Sequence, residues 1–155
     1  ALGTLKNKRV LENVVCIIVG GGELKQQLKQ QVLASGLQDQ VFFPGFVPDA
    51  RLHLNAFDIF TLTSRKEGLP YAIMEAGVAS LPVVASDICG IPDLLTDAGI
   101  LVPPGDVAAI ATMLEKLLVS SSERARLGTG LQQKIVHNFS IEQMLNKTVQ
   151  IYNRV

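Results

Sequence analysis

The sequence predicts an α/β fold: a doubly wound, Rossmann-like parallel sheet with helices on both faces. Short apolar runs alternate with stretches of helical periodicity along the chain. Strands and helices that alternate in this way form parallel β-α-β units, whose crossovers place helices on both faces of the sheet. With 155 residues, of which 48% are hydrophobic, the chain is long enough for one domain with a buried core.

The predicted elements follow one another in a regular order. Strands are predicted at residues 14–19, 41–43, 58–63, 82–85 and 99–102. Helices are predicted at residues 23–35, 48–57, 70–79, from 106 onward, 123–138 and 140–153. The first strand is a continuous β-branched run, which is typical of a strand covered on both faces.

The ends of the early helices are marked by particular residues. The apolar residues Leu24, Leu28 and Val32 recur every four positions and predict one buried stripe on the first long helix. Gly36 then supplies the C-terminal stop, because glycine adopts the left-handed conformation that ends helices. Asp49 is a predicted N-cap for the helical segment that follows the second strand.

The later helices have equally clear starts. Pro70 stands at the first position of one helix, where its missing N–H group costs nothing. Asp106 is a predicted N-cap, and Ser140 with Gln143 forms a capping-box pattern. The helix after Asp106 carries an apolar stripe made of Val107, Ile110, Leu114, Leu117 and Leu118.

The beginning of the chain departs from this alternation. Residues 1–13 are predicted to be the end of a helix and a polar turn, with no strand before them. In a doubly wound sheet such a helix follows a strand. We therefore expect an N-terminally truncated single domain at residues 1–155, which opens with Ala1 and whose first, interior strand lies upstream.

Bulk composition excludes several classes of partner. Fourteen basic and fourteen acidic residues balance, so no long-range field attracts nucleic acid or anionic lipid. No apolar stretch approaches the ~20 residues of a membrane span.

Cys16 and Cys89 lack any CxxC or His spacing, so we interpret both as buried free thiols of a reducing compartment. We expect a cytoplasmic location, with peripheral attachment at the cytoplasmic membrane face as an alternative.

Residues 64–77 carry the most informative pattern. Glu67 closes the loop after a parallel strand, and Gly68 allows the backbone to approach a ligand closely. Pro70 begins a helix whose free N–H groups and dipole favour an anion such as a diphosphate. Glu75, in the first two turns, can accept hydrogen bonds from the vicinal hydroxyls of a ribose. The alternative is that Glu67 and Glu75 are ordinary solvated acids.

The spacing of these residues resembles the paired-glutamate motif of GT-B retaining glycosyltransferases. Glu67 and Glu75 are separated by seven residues within Glu-Gly-Leu-Pro-(x4)-Glu-Ala. Other segments occur in the family's order, namely residues 19–23, 43–48, 81–86, 90–93 and 99–106. The resemblance runs from about residue 10 to the end of the chain, and it implies that the chain is the donor-binding half of a GT-B fold.

The resemblance also implies roles for individual residues. Glu75 would bind the ribose hydroxyls, while Glu67, the catalytic candidate, would face the donor sugar. The backbone of Gly68 and Leu69, ahead of Pro70, would contact the diphosphate. The nucleobase would lie against Phe46 and Val47. The first loop, at Gly21 and Gly22, would pass close to the nucleotide.

Some of these segments have simpler interpretations. Phe46 and Val47 could instead anchor a turn, because buried aromatic residues mostly fill space. Gly90–Pro92 could only shape a loop.

The resemblance implies metal-independent transfer of a sugar, with retention of configuration, from a UDP-, GDP- or ADP-sugar in polysaccharide or glycolipid biosynthesis. No metal or cofactor is expected beyond that donor. The family's Arg and Lys, in the loop after its first strand, have no counterpart here, and Arg65 and Lys66 do not match them. The acceptor domain is also absent. We expect the chain alone to bind nucleotide weakly, to transfer nothing and to self-associate.

Two alternatives remain open. The first is a non-catalytic nucleotide-binding or interaction module. The second is a sugar-nucleotide epimerase of the same architecture, although the spacing of Glu67 and Glu75 argues against it. NAD binding is disfavoured because Lys25 stands where a dinucleotide fingerprint has its third glycine. His53 and His137 fall on separate predicted helices and are interpreted as structural or exposed residues.

Overall fold

The computed structural model describes residues 1–6, 8 and 10–153. The helices are α1 (Leu2–Lys6), α2 (Lys25–Ala34), α3 (Tyr71–Val78), α4 (Pro92–Leu95), α5 (Val107–Val119), α6 (Ser121–Asn138) and α7 (Ile141–Tyr152). The strands are β1 (Cys16–Val19), β2 (Val41–Gly45), β3 (Phe60–Leu62), β4 (Val83–Ser86) and β5 (Ile100–Val102). A 3-10 helix spans Ala50–Ala56 between β2 and β3.

The strands are all parallel, and they alternate with helices as predicted. They form two sheets, with β1 paired to β2 in one and the order β3-β4-β5 in the other. The α/β class is therefore confirmed, but among the described residues the sheet is interrupted between β1 and β3. Each of these two strands keeps one edge without a hydrogen-bonded neighbour in the described part of the chain.

The three-stranded sheet is covered on both faces. Successive side chains of a strand point to opposite faces, and β4 follows this rule: Val83 and Ala85 lie in one core cluster, Val84 in another. The first cluster packs α3, α4 and α6 against the sheet, and the second packs α5 and the start of α6 against the other face. All four residues of β4 are buried, so this strand is the centre of the fold.

The two sheets share helix α5. A third cluster joins Leu5 of α1 and Val41 of β2 to Ala111 of α5. Leu114 of α5 packs against this cluster and also against the cluster beneath β4. The helix therefore spans both sheets on one face, which holds the two-stranded sheet beside the three-stranded one.

Helix ends follow the sequence signals closely. The Asp106 carboxylate accepts a hydrogen bond from the Ala109 amide at 2.9 Å, and the Ser140 hydroxyl accepts one from the Gln143 amide at 3.2 Å. Gly36 has a φ of +61°, the left-handed conformation expected after a helix. Asp49 occupies the N-cap position but makes no side-chain cap bond, and the segment it precedes is a 3-10 helix.

Strand β1 corrects one prediction. It was expected to be covered on both faces, yet Ile17, Ile18 and Val19 are 41%, 37% and 46% exposed. Adjacent residues of a strand point to opposite faces, so both faces of β1 are partly open. Helices cover the faces of such a sheet, and among the described elements only β2 packs extensively against β1. The stripe of α2 is likewise incomplete, since Leu24 and Leu28 are exposed and Val32 alone of the three packs into the core.

Four further details differ from expectation. The segment around Gly90–Pro92 leads into a short helix, α4, which the sequence analysis missed. Cys89 is exposed rather than buried, because it lies in the loop between β4 and α4. Cys16 is half-buried, and burial raises the pKa of its thiol. Val107, although part of the predicted α5 stripe, is exposed.

Helix α7 makes no buried contact. Every residue of it is exposed, although its apolar residues recur at helical spacing on one face. They are Ile141, Met144, Leu145, Val149, Ile151 and Tyr152. No helix in the described ranges is long and apolar enough to cross a membrane.

Candidate functional site

The candidate site is built on the loops that follow β1 to β4. All the strands are parallel, so these loops lie at the carboxyl ends of their sheets, where ligands bind in open α/β folds. The loops after β3 and β4 lie near the start of helix α3. The loops after β1 and β2 lie at the carboxyl end of the two-stranded sheet.

Glu67 lies in the loop between β3 and α3. Its side chain is half-buried, and the Ser64 hydroxyl donates a hydrogen bond to its Oε1 at 2.6 Å. The short donor–acceptor distance is typical of a hydroxyl bonded to an ionised carboxylate. Glu67 is therefore oriented by a residue of its own loop.

Pro70 is buried and occupies the N-cap position of α3 in an extended conformation. Its side chain supplies no cap bond, so the first turn of α3 keeps backbone N–H groups that a proline cannot satisfy. These groups and the helix dipole attract negative charge. Gly68 and Leu69, which precede Pro70, are exposed.

Glu75 projects from α3 one turn beyond its start and is exposed. Within the described ranges no basic side chain forms an ion pair with it. The carboxylate is thus available to accept hydrogen bonds from hydroxyl groups. Arg65 and Lys66 are also exposed, as expected for solvated loop residues.

The loops after β3 and β4 touch at Gly68 and Gly90. A β-carbon placed on Gly90 would lie 1.6 Å from the carbonyl oxygen of Gly68. Gly90 also has a φ of +86°, which side chains other than glycine rarely adopt. The interpretation that Gly90 shapes a loop is correct, but it is also the point where the two loops pack backbone to backbone.

The loops after β1 and β2 form a second contact. The Gly20 amide donates to the Gly45 carbonyl at 2.8 Å. Phe46, the next residue, is 83% exposed, and Val47 is half-buried. Phe46 is therefore not a buried turn anchor. Gly21 and Gly22 are exposed, and a β-carbon on either would meet no atom within 4 Å.

The structure thus brings the predicted residues together in two groups. Glu67, Gly68 and Leu69 with Glu75 form one group around α3, and Gly21 and Gly22 with Phe46 and Val47 form the other. No hydrogen bond connects the two groups among the described residues. Each group faces solvent at a strand-end edge.

Other features lie away from this edge. A cavity of about 240 Å³ is lined by residues at the amino ends of β3 and β4, among them Phe57, Asp58 and Pro82. It is at the opposite end of the strands from Glu67, so it is not part of the candidate site. His53 and His137 are both exposed, which agrees with the sequence analysis.

The sequence pattern predicted no role for Ser64, whose hydroxyl orients Glu67. The signal for it is the short spacing, because a serine hydroxyl is a donor and an acid three residues later in the same loop offers an acceptor within reach. Gly90 had no comparable signal for its contact. Its partner, Gly68, lies in a different loop, and only the packing of β3 against β4 brings them together.

A strand-end site of this kind, on parallel β-α-β units, is typical of enzymes and binding proteins that use nucleotides. Residues 1–134 match the family described as glycosyl transferases group 1, so this chain belongs to that family.

Known relatives support the same membership. The amylovoran biosynthesis glycosyltransferase AmsK of Erwinia amylovora is 36% identical over 138 residues, which cover 77% of this chain and 34% of AmsK. The lipopolysaccharide core biosynthesis glycosyltransferase LpsE of Rhizobium meliloti is 29% identical, with 91% of this chain and 42% of LpsE covered. The chain therefore spans well under half the length of these relatives.

Solved structures share the fold. The crystal structure of TarM superposes with a TM-score of 0.86 at 26% identity, covering 98% of this chain and 31% of TarM. A variant of TarM from S. aureus, in a complex that contains UDP, superposes with a TM-score of 0.84 at 25% identity, over 93% of this chain and 30% of that one. The doubly wound α/β architecture is thus that of GT-B glycosyltransferases.

Proposed function

We propose that this chain is the donor-binding domain of a retaining, metal-independent glycosyltransferase that uses a nucleotide-diphospho-sugar. The observation that carries the proposal is the arrangement around α3. Glu67, oriented by Ser64, precedes the helix, and Glu75 projects freely from its second turn. Two carboxylates on either side of a helix N-terminus match a ligand with hydroxyl groups on both sides of a diphosphate.

The donor is placed as follows. The diphosphate lies at the start of α3, against the backbone of Gly68 and Leu69, where the N–H groups and dipole favour an anion. Glu75 accepts hydrogen bonds from the ribose hydroxyls. Glu67 faces the donor sugar. The exposure of Glu75 and of the loop before Pro70 supports this placement, because both are free to receive a ligand.

The nucleobase lies against Phe46 and Val47 in the second group of residues. Phe46 presents a largely uncovered aromatic ring, and an exposed ring next to a strand end is suited to contact a flat base. Gly21 and Gly22 have open space where side chains would be, so the ligand can approach their backbone. The donor is a UDP-, GDP- or ADP-sugar. UDP is present in the complex of the related TarM.

The proposed reaction transfers the sugar with retained configuration. The bond between the anomeric carbon and the diphosphate oxygen breaks, and both electrons leave with the diphosphate. Positive, oxocarbenium-like charge then develops on the sugar while negative charge grows on the leaving group. The α3 N-terminus stabilises that negative charge, and Glu67 holds the sugar in place for the acceptor. The acceptor hydroxyl oxygen forms the new bond to the anomeric carbon on the face that the diphosphate leaves, and its proton passes to the departing diphosphate oxygen. No metal takes part in this scheme.

The acceptor site belongs to an N-terminal domain of the intact protein. The uncovered apolar face of α7 supports a further domain, because monomeric proteins rarely expose such stripes without a partner. The free cysteines, Cys16 and Cys89, fit a reducing cytoplasmic compartment. The names of AmsK and LpsE favour a role in polysaccharide or lipopolysaccharide synthesis.

The test is an assay of the intact protein with a panel of UDP-, GDP- and ADP-sugars. We expect sugar transfer or slow donor hydrolysis with one base, with the anomeric configuration retained by NMR, and unchanged rates after EDTA treatment. Nucleotide binding without turnover of any donor would instead favour a non-catalytic binding module. Inversion at a ring carbon other than the anomeric carbon, while the sugar stays attached to the nucleotide, would favour an epimerase.

A further inference from the structure

Packing fixes the backbone of the loop that carries Glu67, but this packing does not fix the Glu67 side chain. Gly68 packs directly against Gly90, with no room for a single methyl group between the loops. Two residues after Gly68 lies the buried Pro70, whose ring restricts its own backbone torsion φ. The main chain on the C-terminal side of Glu67 therefore has little freedom. A glutamate side chain still has three torsions, so its carboxylate needs a separate constraint to hold one direction.

Ser64 supplies that constraint. Its hydroxyl donates to Oε1 of Glu67 at 2.6 Å, and both side chains are half-buried. In the described part of the chain no other side chain donates a hydrogen bond to this carboxylate. Ser64 therefore engages one oxygen, and Oε2 has no protein donor among these contacts. An ionised carboxylate has several lone pairs, so one bond from Ser64 leaves it able to accept others.

We propose that Ser64 is a positioning residue: its hydroxyl holds the Glu67 carboxylate in the orientation that binds the sugar of the donor. The inference rests on the proposed function, because it assigns Glu67 to the sugar and Glu75 to the nucleotide. It predicts that Ser64 acts on the sugar and not on the nucleotide, since it contacts Glu67 and makes no hydrogen bond to Glu75. A residue that only supported the loop would affect both.

The test compares Ser64→Ala, Ser64→Thr and the matched control Ser121→Ala in the 155-residue chain. Ser121 is exposed at the start of α6, away from the loop. Calorimetry measures the affinity for UDP and UDP-glucose, GDP and GDP-mannose, and ADP and ADP-glucose. The quantity of interest is the affinity ratio of the sugar nucleotide to its parent nucleotide, for the pair that binds.

We expect Ser64→Ala to lower this ratio about threefold or more, through loss of an orienting hydrogen bond to a charged group. The affinity for the parent nucleotide should stay within twofold. Ser64→Thr keeps the hydroxyl and should restore the ratio, and Ser121→Ala should not change it. An unchanged ratio in Ser64→Ala, or an equal loss for sugar nucleotide and nucleotide, would overturn the positioning role.

A ligand-free measurement separates this inference from the proposed function. NMR scalar couplings of the Glu67 side chain should report one dominant rotamer in the wild type and in Ser64→Thr, and averaged rotamers in Ser64→Ala. Averaged couplings in the wild type would overturn the inference on Ser64, but they would not contradict the proposed binding of a nucleotide. A wild-type chain that binds none of the six ligands, alone or joined to its acceptor domain, would contradict the proposed function and this inference with it.

Discussion

Gly90 packs against Gly68 so closely that a β-carbon on Gly90 would lie 1.6 Å from the Gly68 carbonyl oxygen. The contact joins the loops after β3 and β4, and one of them carries Glu67. Because backbone meets backbone, no side-chain rearrangement can relieve the clash of a larger residue. This relationship makes Gly90 part of the architecture of the site, although its own atoms carry no chemistry.

The first prediction concerns this contact. Gly90→Ala should destabilise the fold by ~2 kcal/mol or more, since left-handed strain of ~1–2 kcal/mol adds to the clash with Gly68. The matched control is Gly105→Ala, because Gly105 has a similar φ of +77° but no atom within 4 Å of an added β-carbon. The control should show the strain alone. Urea denaturation measures the free energy of unfolding of both variants. Equal losses of stability would show that the loops after β3 and β4 can move apart at no cost.

The second prediction concerns Glu75. Glu75→Ala should weaken nucleotide binding by ~1.5–3 kcal/mol, because the ribose hydroxyls would lose a charged acceptor. Glu142→Ala is the control, since Glu142 is an equally exposed acid on α7. Isothermal titration calorimetry with the preferred nucleotide gives both values. If Glu75→Ala binds as tightly as the wild type, the carboxylate does not bind the ribose.

The third prediction follows from Glu123. Hydrogen bonds from Arg126 first, and then from Lys116, lower the pKa of its carboxyl to about 2 from an ordinary value of 4.5. A depressed folded-state pKa stabilises the protein above the unfolded pKa, and the contribution is lost as pH falls through the folded pKa. The free energy of unfolding should therefore decline from about pH 4.5 toward pH 2, and less steeply in Glu123→Gln. Identical slopes in both proteins would mean that the pKa of Glu123 is the same in the folded and unfolded states.

The fourth prediction concerns the two thiols. Cys89 is exposed, whereas burial raises the pKa of Cys16 and so reduces its thiolate at neutral pH. A thiol reagent such as DTNB should therefore modify one thiol quickly and one slowly. Cys89→Ser should remove the fast phase and leave the slow one. Two equally fast phases in the folded protein would contradict the difference in burial.

The fifth prediction is that the chain self-associates. The edges of β1 and β3 are unpaired among the described residues, and the apolar face of α7 is uncovered. Leu145→Glu should weaken this association, because it places a charge on the apolar face. Gln150→Glu adds the same charge to the opposite face of α7 and should have little effect. Sedimentation velocity at several concentrations measures both, and a monomeric wild type would refute the prediction.

Much of the fold could be predicted because its signals are local. Asp106 and Ser140 cap their helices as expected, since a capping bond joins residues three positions apart. The α/β class followed from the alternation of strands and helices. The nature of the segment Ala50–Ala56 was less predictable, because 3-10 and α-helices share similar spacing over two turns.

The sequence by itself determined the spacing of Glu67 and Glu75 and the start of a helix between them, because these depend on neighbours along one segment. Only the tertiary structure decided that Gly90 meets Gly68, that β1 is open on both faces and that the strands form two sheets. Those features depend on which distant segments pair and which edges remain free. Burial is a property of the packed molecule, so an apolar run such as that of β1 cannot specify its own covering.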